Sequence, residues 1–160
     1  MSIKPIIGVI GQAEVEPKLM DFARKVGQGL AEGGAVLICG GLGGVMEAAC
    51  EGAKKAGGLT LGVLPEDSAD AANPYVDIPI VTGMGEARNL VIVKSSIVLI
   101  AIGGSYGTLS EIAFALKSGK PVIGVETWGP LGTKGRRLGV HSVFTPEEAV
   151  RVALKCIKAP

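Results

Sequence analysis

The sequence predicts an α/β fold: a single domain whose doubly wound, mainly parallel sheet carries helices on both faces. Short aliphatic runs alternate with helical patterns along all 160 residues, which is typical of strand–helix–strand units. Most of these runs are continuously apolar, as expected for parallel strands covered on both faces. Glycine accounts for 25 residues, more than twice its usual share of about 7%. Several glycines follow predicted helix ends, where a left-handed residue is favoured.

The predicted elements alternate in order along the chain. Strands are predicted at residues 6–10, 35–39, 59–64, 78–82, 97–102 and 121–126. Helices are predicted at residues 17–32, 44–56, 86–95, 108–118 and 146–158. The last helix has the clearest start, with Thr145 as N-cap, Pro146 at the first helical position and Glu148 placed for a capping box. The irregular segments 65–77 and 127–143 follow strands, so they are predicted to lie at the carboxyl edge of the sheet, where such folds bind ligands.

The charge balance excludes several classes of partner. Sixteen Lys and Arg against fifteen Asp and Glu leave a formal net charge of +1, which provides no basic face for nucleic acid and no polybasic stretch for a membrane surface. The longest apolar stretch, residues 90–102, is interrupted by Lys94, Ser95 and Ser96. It therefore falls short of the ~18 residues that a membrane span needs. With no signal peptide at the start of the chain, we expect a cytoplasmic protein.

The cysteines and the histidine predict neither a disulfide framework nor a metal site. Cys39, Cys50 and Cys156 are odd in number and share no C-x-x-C spacing. We expect them to be small buried side chains in a reducing compartment. His141 is the only histidine and has no metal-ligand partner near it in the sequence.

Two glycine-rich turns, at residues 40–44 and 103–107, each join a predicted strand to a predicted helix. Such a turn exposes unpaired backbone N–H groups at the positive end of the helix, and glycines let an anion approach them closely. Neither turn is a P-loop, and a dinucleotide fingerprint fails at Met46, where its third glycine would stand. A mononucleotide or another phosphorylated small molecule fits better. The alternative is that the glycines only permit tight strand–helix packing.

Two charged side chains follow glycine-containing turns closely. Glu111 lies one turn into its predicted helix, where it could bind ribose hydroxyls or stabilise a developing cation. Taken alone, its position favours an ordinary helix-start acid. Arg88 follows another turn and carries a fork that matches phosphate, unless it belongs to a solvated face. The basic residues at 134–137 are more typical of a solvated loop. Trp128 and Tyr106 could stack on a base or simply pack.

Three sequence blocks resemble one family. CGGLGGVME at residues 39–47, GEARN at 85–89 and GSYGTLSE at 104–111 are together similar to the LONELY GUY and molybdenum-cofactor-carrier superfamily. This group of Rossmann-like proteins is related to the DNA-processing protein DprA, and many members carry the label "lysine decarboxylase". The GEARN block is most similar to small bacterial proteins of the cofactor-carrier type. The resemblance implies a Rossmann-like fold and a homo-oligomer, either a dimer or a tetramer.

The resemblance also implies roles for two residues. Cytokinin-activating members of the superfamily remove the base from a nucleoside 5′-monophosphate, and their P-G-G-x-G-T-x-x-E glutamate falls on Glu111. Their catalytic arginine, from an H-x-R-K element, falls on Arg88. This sequence has Gly103 in place of the motif's proline and Ser105 in place of its second glycine; Glu86 and Asn89 replace the histidine and lysine. These departures weaken the case for base cleavage more than the case for phosphate and ribose recognition, and nothing in the sequence supports decarboxylation.

The first functional hypothesis is therefore a binding protein for a phosphorylated nucleotide or pterin-type ligand, with the molybdenum cofactor as a candidate cargo. The alternative is a nucleoside 5′-monophosphate phosphoribohydrolase in which Arg88 and Glu111 are catalytic. A DprA-like DNA binder is disfavoured by the charge balance and the few aromatic residues. The predicted site residues are Gly40, Gly41, Gly43, Gly44, Arg88, Asn89, Gly103, Gly104, Ser105, Tyr106, Gly107, Thr108 and Glu111.

Overall fold

The protein is built on a seven-stranded sheet in which every strand pair is parallel. The structure, a computed structural model, describes residues 3–129 and 139–157. The strands are β1 (Ile6–Gly11), β2 (Val36–Cys39), β3 (Thr60–Leu64), β4 (Ile78–Val81), β5 (Val98–Ile102), β6 (Val122–Val125) and β7 (Val140–Ser142). Their order across the sheet is β4-β3-β2-β1-β5-β6-β7.

Helices cover both faces of the sheet. They are α1 (Pro17–Glu32), α2 (Val45–Lys55), α3 (Asn89–Ser95), α4 (Tyr106–Lys117) and α5 (Pro146–Ile157), with a 3-10 helix at Gly85–Arg88. Apolar residues of α1, α2 and α5 pack in one core cluster, and those of α3 and α4 pack in a second on the opposite face. The predicted doubly wound α/β fold is therefore confirmed. Among the described residues, no helix combines the length and the apolar character needed to cross a membrane.

The central strands of the sheet are buried, whereas the edge strand β4 is mostly exposed. Every residue of β2 and β5, which flank the central β1, is buried. The edge strand β4 is mostly exposed and contains Pro79, a residue that edge strands tolerate because it donates no ladder hydrogen bond. All six predicted strands are present, which shows that continuous aliphatic runs were a sufficient signal for them.

The structure corrects three sequence predictions. β7 lies inside the segment predicted to be irregular; it has no aliphatic run, and its exposed His141 and Ser142 lie at the sheet edge. The predicted helix at 86–95 is divided into the 3-10 helix and α3. The helix predicted to begin at Thr108 begins at Tyr106, because Ser105 is the N-cap and its backbone N–H donates to the Thr108 hydroxyl oxygen at 3.4 Å. The basic residues at 134–137 lie outside the described residues.

The strand order changes direction at β1. From β1 the chain builds outward through β2, β3 and β4, and it then returns to place β5 on the other side of β1. The loops after β1 and β5 therefore lead to opposite faces of the sheet. In doubly wound folds this arrangement leaves a crevice at the carboxyl ends of the two strands, where ligands bind.

α1 and α2 cross at a close distance that two glycines permit. A Cβ on Gly27 would overlap the carbonyl oxygen of Ala49, and a Cβ on Gly52 would overlap that of Arg24. The side chain of Arg24 also forms an ion pair with Glu51 across the crossing, at 2.8 Å. Both glycines are therefore required by helix–helix contact.

We expect Gly27→Ala to lower the free energy of unfolding by roughly 1–3 kcal/mol, because the added methyl group forces the two helices apart. Helix propensity alone would give the opposite sign, a gain of roughly 0.5–1 kcal/mol. Urea unfolding followed by circular dichroism measures the difference. The control is Gly129→Ala, since no heavy atom of residues 3–129 and 139–157 lies within 4 Å of a Cβ placed there. An unchanged or raised stability of Gly27→Ala would contradict the packing argument.

Candidate functional site

A cavity of about 400 Å³ opens at the carboxyl edge of the sheet, around the ends of β1, β2, β3 and β5. Seven of the residues predicted from the sequence line it: Gly40, Arg88, Asn89, Ser105, Gly107, Thr108 and Glu111. They come from three separate segments of the chain, which the parallel strands bring to one edge. The cavity therefore coincides with the crevice that the strand order predicts.

The other six predicted residues do not line this cavity. Gly41, Gly43 and Gly44 form the rest of the first turn; Gly41 and Gly44 have φ values of 74° and 66°. Gly103, with φ of 60°, donates its N–H to the carbonyl of Val125 at 3.0 Å. These positive φ values are the left-handed backbone that favours glycine.

The remaining two of these six residues lie toward Trp128. A Cβ on Gly104 would lie 3.1 Å from the Trp128 ring. Tyr106 is 83% exposed and its ring centroid lies 5.7 Å from that of Trp128. Trp128 also donates its indole N–H to the carbonyl oxygen of Ser105 at 2.9 Å. The two aromatic side chains therefore pack against each other outside the cavity.

Arg88 ties the 3-10 helix to the edge of the sheet. Its Nη1 atom donates to the carbonyl oxygens of Gly40 and Val63, at the ends of two neighbouring strands. The Nε atom is buried and has no hydrogen-bond partner among the described residues. Burial lowers the pKa of Arg88, and the charge of Glu111 opposes that effect. The guanidinium remains protonated, because its ordinary pKa is above 12.

Gly40 is a glycine because the guanidinium occupies the space beside it. A Cβ at this position would lie 2.9 and 3.1 Å from the Nη1 and Nη2 atoms of Arg88, and 2.7 Å from the Met46 sulfur. Gly40 is not among the residues with positive φ. The absence of a side chain at Gly40 therefore leaves room for the Arg88 guanidinium. The sequence pattern predicts room for an anion at this position instead.

Glu111 is a buried carboxyl group that faces the cavity. It is 7% exposed, and burial raises its pKa to about 8, with the charge of Arg88 acting in the opposite direction. Within residues 3–129 and 139–157 it has no hydrogen-bond partner and no ion-pair partner within 4.0 Å. At neutral pH this carboxyl is therefore mostly protonated and able to donate a hydrogen bond into the cavity.

The start of α4 offers unpaired backbone donors. The first N–H group of this end to reach a backbone carbonyl is that of Leu109, which donates to Ser105 at 3.0 Å. Among the described residues, the N–H groups of Tyr106 and Gly107 have no backbone acceptor. The N–H of Thr108 faces the Ser105 side chain in a capping box. The start of α2 differs, since its first N–H, on Val45, donates to the carbonyl of Gln12 at 3.2 Å. Only Met46 of α2 lines the cavity.

Sequence reasoning named no site residue on one side of the cavity. Gly11, at the end of β1, and the following Gln12 and Ala13 line this side. Pro65 and Glu66 line it as well, and they belong to the segment 65–77 that was predicted to lie at the carboxyl edge. The glycine that ends the first strand was a readable signal, but its position beside β5 depends on the strand order. In the described parts of the chain, no group of three or more His, Cys, Asp or Glu side chains is arranged to hold a metal ion.

We expect Glu111→Gln to stabilise the protein increasingly as the pH rises. The folded-state pKa of Glu111, about 8, lies above the ordinary glutamate value of 4.5. The folded protein therefore binds more protons than the unfolded chain, and wild-type stability falls as the pH rises from about 4.5 to about 8. The neutral amide avoids this loss. Thermal unfolding of both proteins from pH 5 to pH 9 measures the difference in stability. For a chain of this size, 1 kcal/mol shifts the melting temperature by about 2–4 °C. A melting-temperature difference that stays constant with pH would contradict the burial argument.

The chain is similar to proteins of known structure and activity. A molybdenum cofactor binding protein from Rippkaea orientalis is 42% identical, with a TM-score of 0.90 over 99% of this chain and 100% of that chain. A molybdenum cofactor carrier protein from Chlamydomonas reinhardtii is 38% identical, with a TM-score of 0.84 over 98% and 100%. A cytokinin riboside 5′-monophosphate phosphoribohydrolase from Mycobacterium tuberculosis is 33% identical over 122 residues, 70% of this chain and 65% of that enzyme.

These similarities confirm the resemblance found in the three sequence blocks, which lie in the two glycine turns and the 3-10 helix. The model of one family covers most of the chain, from residue 4 to residue 150. The protein therefore belongs to the SLOG cluster4 family.

Proposed function

We propose that this protein binds a phosphorylated nucleotide or pterin-type molecule in the cavity at the carboxyl edge of the sheet. The observation that carries the proposal is the convergence of the Arg88 guanidinium and the unpaired N–H groups of α4 on one cavity. A half-buried cation beside a helix N-terminus attracts a phosphate through both charge and directed hydrogen bonds. The similarity to molybdenum cofactor carriers supports that cofactor as the natural cargo.

Each residue of the cavity would contact a different group of the ligand. The N–H group of Gly107 would donate to a phosphate oxygen. The Thr108 hydroxyl, whose oxygen accepts from the Ser105 N–H, keeps its own proton for a further bond. Arg88 uses Nη1 for the two carbonyl groups and retains Nη2 for the ligand. The protonated carboxyl of Glu111 would donate to a ligand oxygen or accept from a hydroxyl group.

The dimensions of the cavity favour a small molecule. Pockets for cofactors and other small ligands usually measure about 300–1,000 Å³, and the cavity here measures about 400 Å³. Its other ionisable side chains, Glu66 and Glu86, are exposed acids, which would repel a nucleic-acid backbone. A single phosphorylated molecule fits this environment better than DNA.

A homo-oligomer, either a dimer or a tetramer, is part of the same proposal. Apolar side chains are exposed on the outer surface of α3 and α4: Leu90 at 38%, Phe114 at 40% and Tyr106 at 83%. Exposed apolar groups in one area are typical of an interaction surface. Light scattering of the purified protein gives its mass, and a monomer at micromolar concentration would contradict this part.

We expect the protein to bind AMP, used as a probe of phosphate recognition, and Arg88→Ala to weaken that binding by roughly 10- to 100-fold, because a charge-assisted hydrogen bond is lost. Isothermal titration calorimetry measures the affinity. The matched control is Arg151→Ala, which removes the same charge from the exposed surface of α5.

Gly40→Ala separates the position of the guanidinium from its charge. The added methyl group displaces the mobile ends of Arg88 and Met46 without meeting backbone, so we expect an unchanged fold with weakened AMP binding. AMP affinity that is the same in wild type, Arg88→Ala and Gly40→Ala would contradict the role of Arg88.

The second candidate is a nucleoside 5′-monophosphate phosphoribohydrolase, which the similarity to the mycobacterial enzyme favours. Glu111 would then stabilise the oxocarbenium-like transition state as a carboxylate, a role analogous to that of glycosidase carboxylates. With a pKa of about 8, about a tenth of the Glu111 side chains are ionised at pH 7. Hydrolysis through this group would therefore increase as the pH rises toward 8.

Incubation with AMP between pH 6 and pH 9, with chromatographic detection of free adenine, distinguishes the two candidates. For a carrier we expect saturable binding with no release of base at any pH. Release that increases toward pH 8 and is abolished in Glu111→Gln would establish the hydrolase instead. Glu47→Gln is the control, because Glu47 lies in the first turn of α2 and does not line the cavity.

A further inference from the structure

Two cysteine thiols lie in contact behind the wall of the cavity. The Sγ atoms of Cys39 and Cys50 are 3.4 Å apart, and both residues are fully buried. Cys39 is the last residue of β2, and Cys50 lies on the covering helix α2. Neither sulfur has a role in the proposed ligand binding.

The surroundings of the two sulfurs are different. The backbone N–H of Gly41 donates to the Cys39 sulfur at 3.3 Å. The hydrogen bond with Cys50 lowers the pKa of Cys39 against the effect of burial, and the Gly41 N–H adds to the lowering. The same contact raises the pKa of Cys50. Cys39 is therefore the better nucleophile of the pair, and Cys50 is placed to react second.

The pair is also close to the cavity. Gly40, the residue after Cys39, lines the cavity. Met46, one helical turn before Cys50, lines it as well, and its carbonyl oxygen is 4.0 Å from the Cys39 sulfur. A small uncharged oxidant that enters the cavity is thus separated from the pair by a single layer of residues.

We propose that Cys39 and Cys50 form a redox-active pair that closes to an intramolecular disulfide, with hydrogen peroxide as the oxidant. The Cys39 thiolate attacks one peroxide oxygen and the O–O bond breaks, which leaves a sulfenic acid and, after protonation of the departing hydroxide, one water molecule. The Cys50 sulfur then attacks the Cys39 sulfur and the S–O bond breaks, so that the hydroxyl group leaves as a second water with the Cys50 proton. The two thiols give up two electrons and two protons, and the peroxide is reduced to water.

Closure of this bond would alter the first glycine turn. The sulfurs must approach from 3.4 Å to about 2.05 Å, which draws the end of β2 toward α2. Gly40, the next residue, accepts the Arg88 hydrogen bond and lines the cavity. The oxidation state of the pair is therefore coupled to the position of the guanidinium.

The test treats the reduced full-length protein with a stoichiometric amount of hydrogen peroxide, then alkylates the remaining thiols under denaturing conditions and maps the peptides by mass. We expect two of the three thiols to be lost, with the peptides that contain Cys39 and Cys50 linked to each other. Cys156 stays alkylated, the protein runs as a monomer on non-reducing electrophoresis, and dithiothreitol restores all three thiols.

Two variants complete the experiment. Cys156→Ser should behave as the wild type, since Cys156 lies on α5 away from the pair. Cys50→Ser should stop at the sulfenic acid of Cys39, which a cyclic 1,3-dione traps; Cys50→Ala replaces it if the serine variant does not fold.

The proposal is overturned if all three thiols survive peroxide under conditions that oxidise free dithiothreitol, or if the lost thiols appear in links between chains through Cys156. These measurements require no ligand, so their outcome does not depend on the proposed function.

Discussion

The hydrogen bonds from Arg88 to the carbonyl oxygens of Gly40 and Val63 hold together the walls of the candidate site. Buried backbone carbonyl groups near the ends of parallel strands need hydrogen-bond partners. A single cation satisfies two of them and fixes the 3-10 helix over the ends of β2 and β3. The conformation of the first glycine turn, the lack of a side chain at position 40 and the shape of the cavity all depend on this contact.

The electrostatics of the cavity follow from two groups of opposite charge that burial affects in opposite ways. Desolvation lowers the pKa of Arg88 and raises that of Glu111, and each charge partly offsets the shift of the other. Among the described residues the two form no ion pair within 4.0 Å, and Arg88 keeps a buried, unpartnered Nε. Ionisable groups with shifted pKa values and unused hydrogen-bonding capacity in one cavity are typical of a binding or catalytic site.

The sequence predicted most of the fold, because continuous aliphatic runs and glycine-terminated helices are local signals. β7 was missed since a three-residue edge strand with exposed polar side chains has no such signal. Arg88 and Glu111 were found from motifs, and the structure places both at one cavity. The loop at Gly11 was missed because its place beside β5 is a property of the sheet order, which local patterns do not encode.

Gly40 illustrates a different limit of sequence reasoning. The glycine pattern indicated that space was required there, but only the structure identifies the Arg88 guanidinium as the group that fills it. A glycine in the sequence indicates that a side chain is not tolerated at that position, but it does not identify the group that occupies the space. Interpretation of such a turn as an anion site therefore needs the tertiary contacts. Here they place backbone donors of the start of α4 at the cavity, whereas the first N–H of α2 is paired with the carbonyl of Gln12.

The protonation of Glu111 also bears on the choice between carrier and hydrolase. Base cleavage develops positive charge on the sugar, so it requires an ionised carboxylate nearby. Burial already keeps most of the Glu111 side chains protonated at neutral pH. A bound phosphate adds negative charge to the same cavity, which raises the pKa of a neighbouring carboxyl further unless Arg88 neutralises it. In the proposed complex, the phosphate of a bound nucleotide would therefore oppose the ionisation that hydrolysis needs, whereas retention of a phosphorylated ligand would benefit from the additional donor.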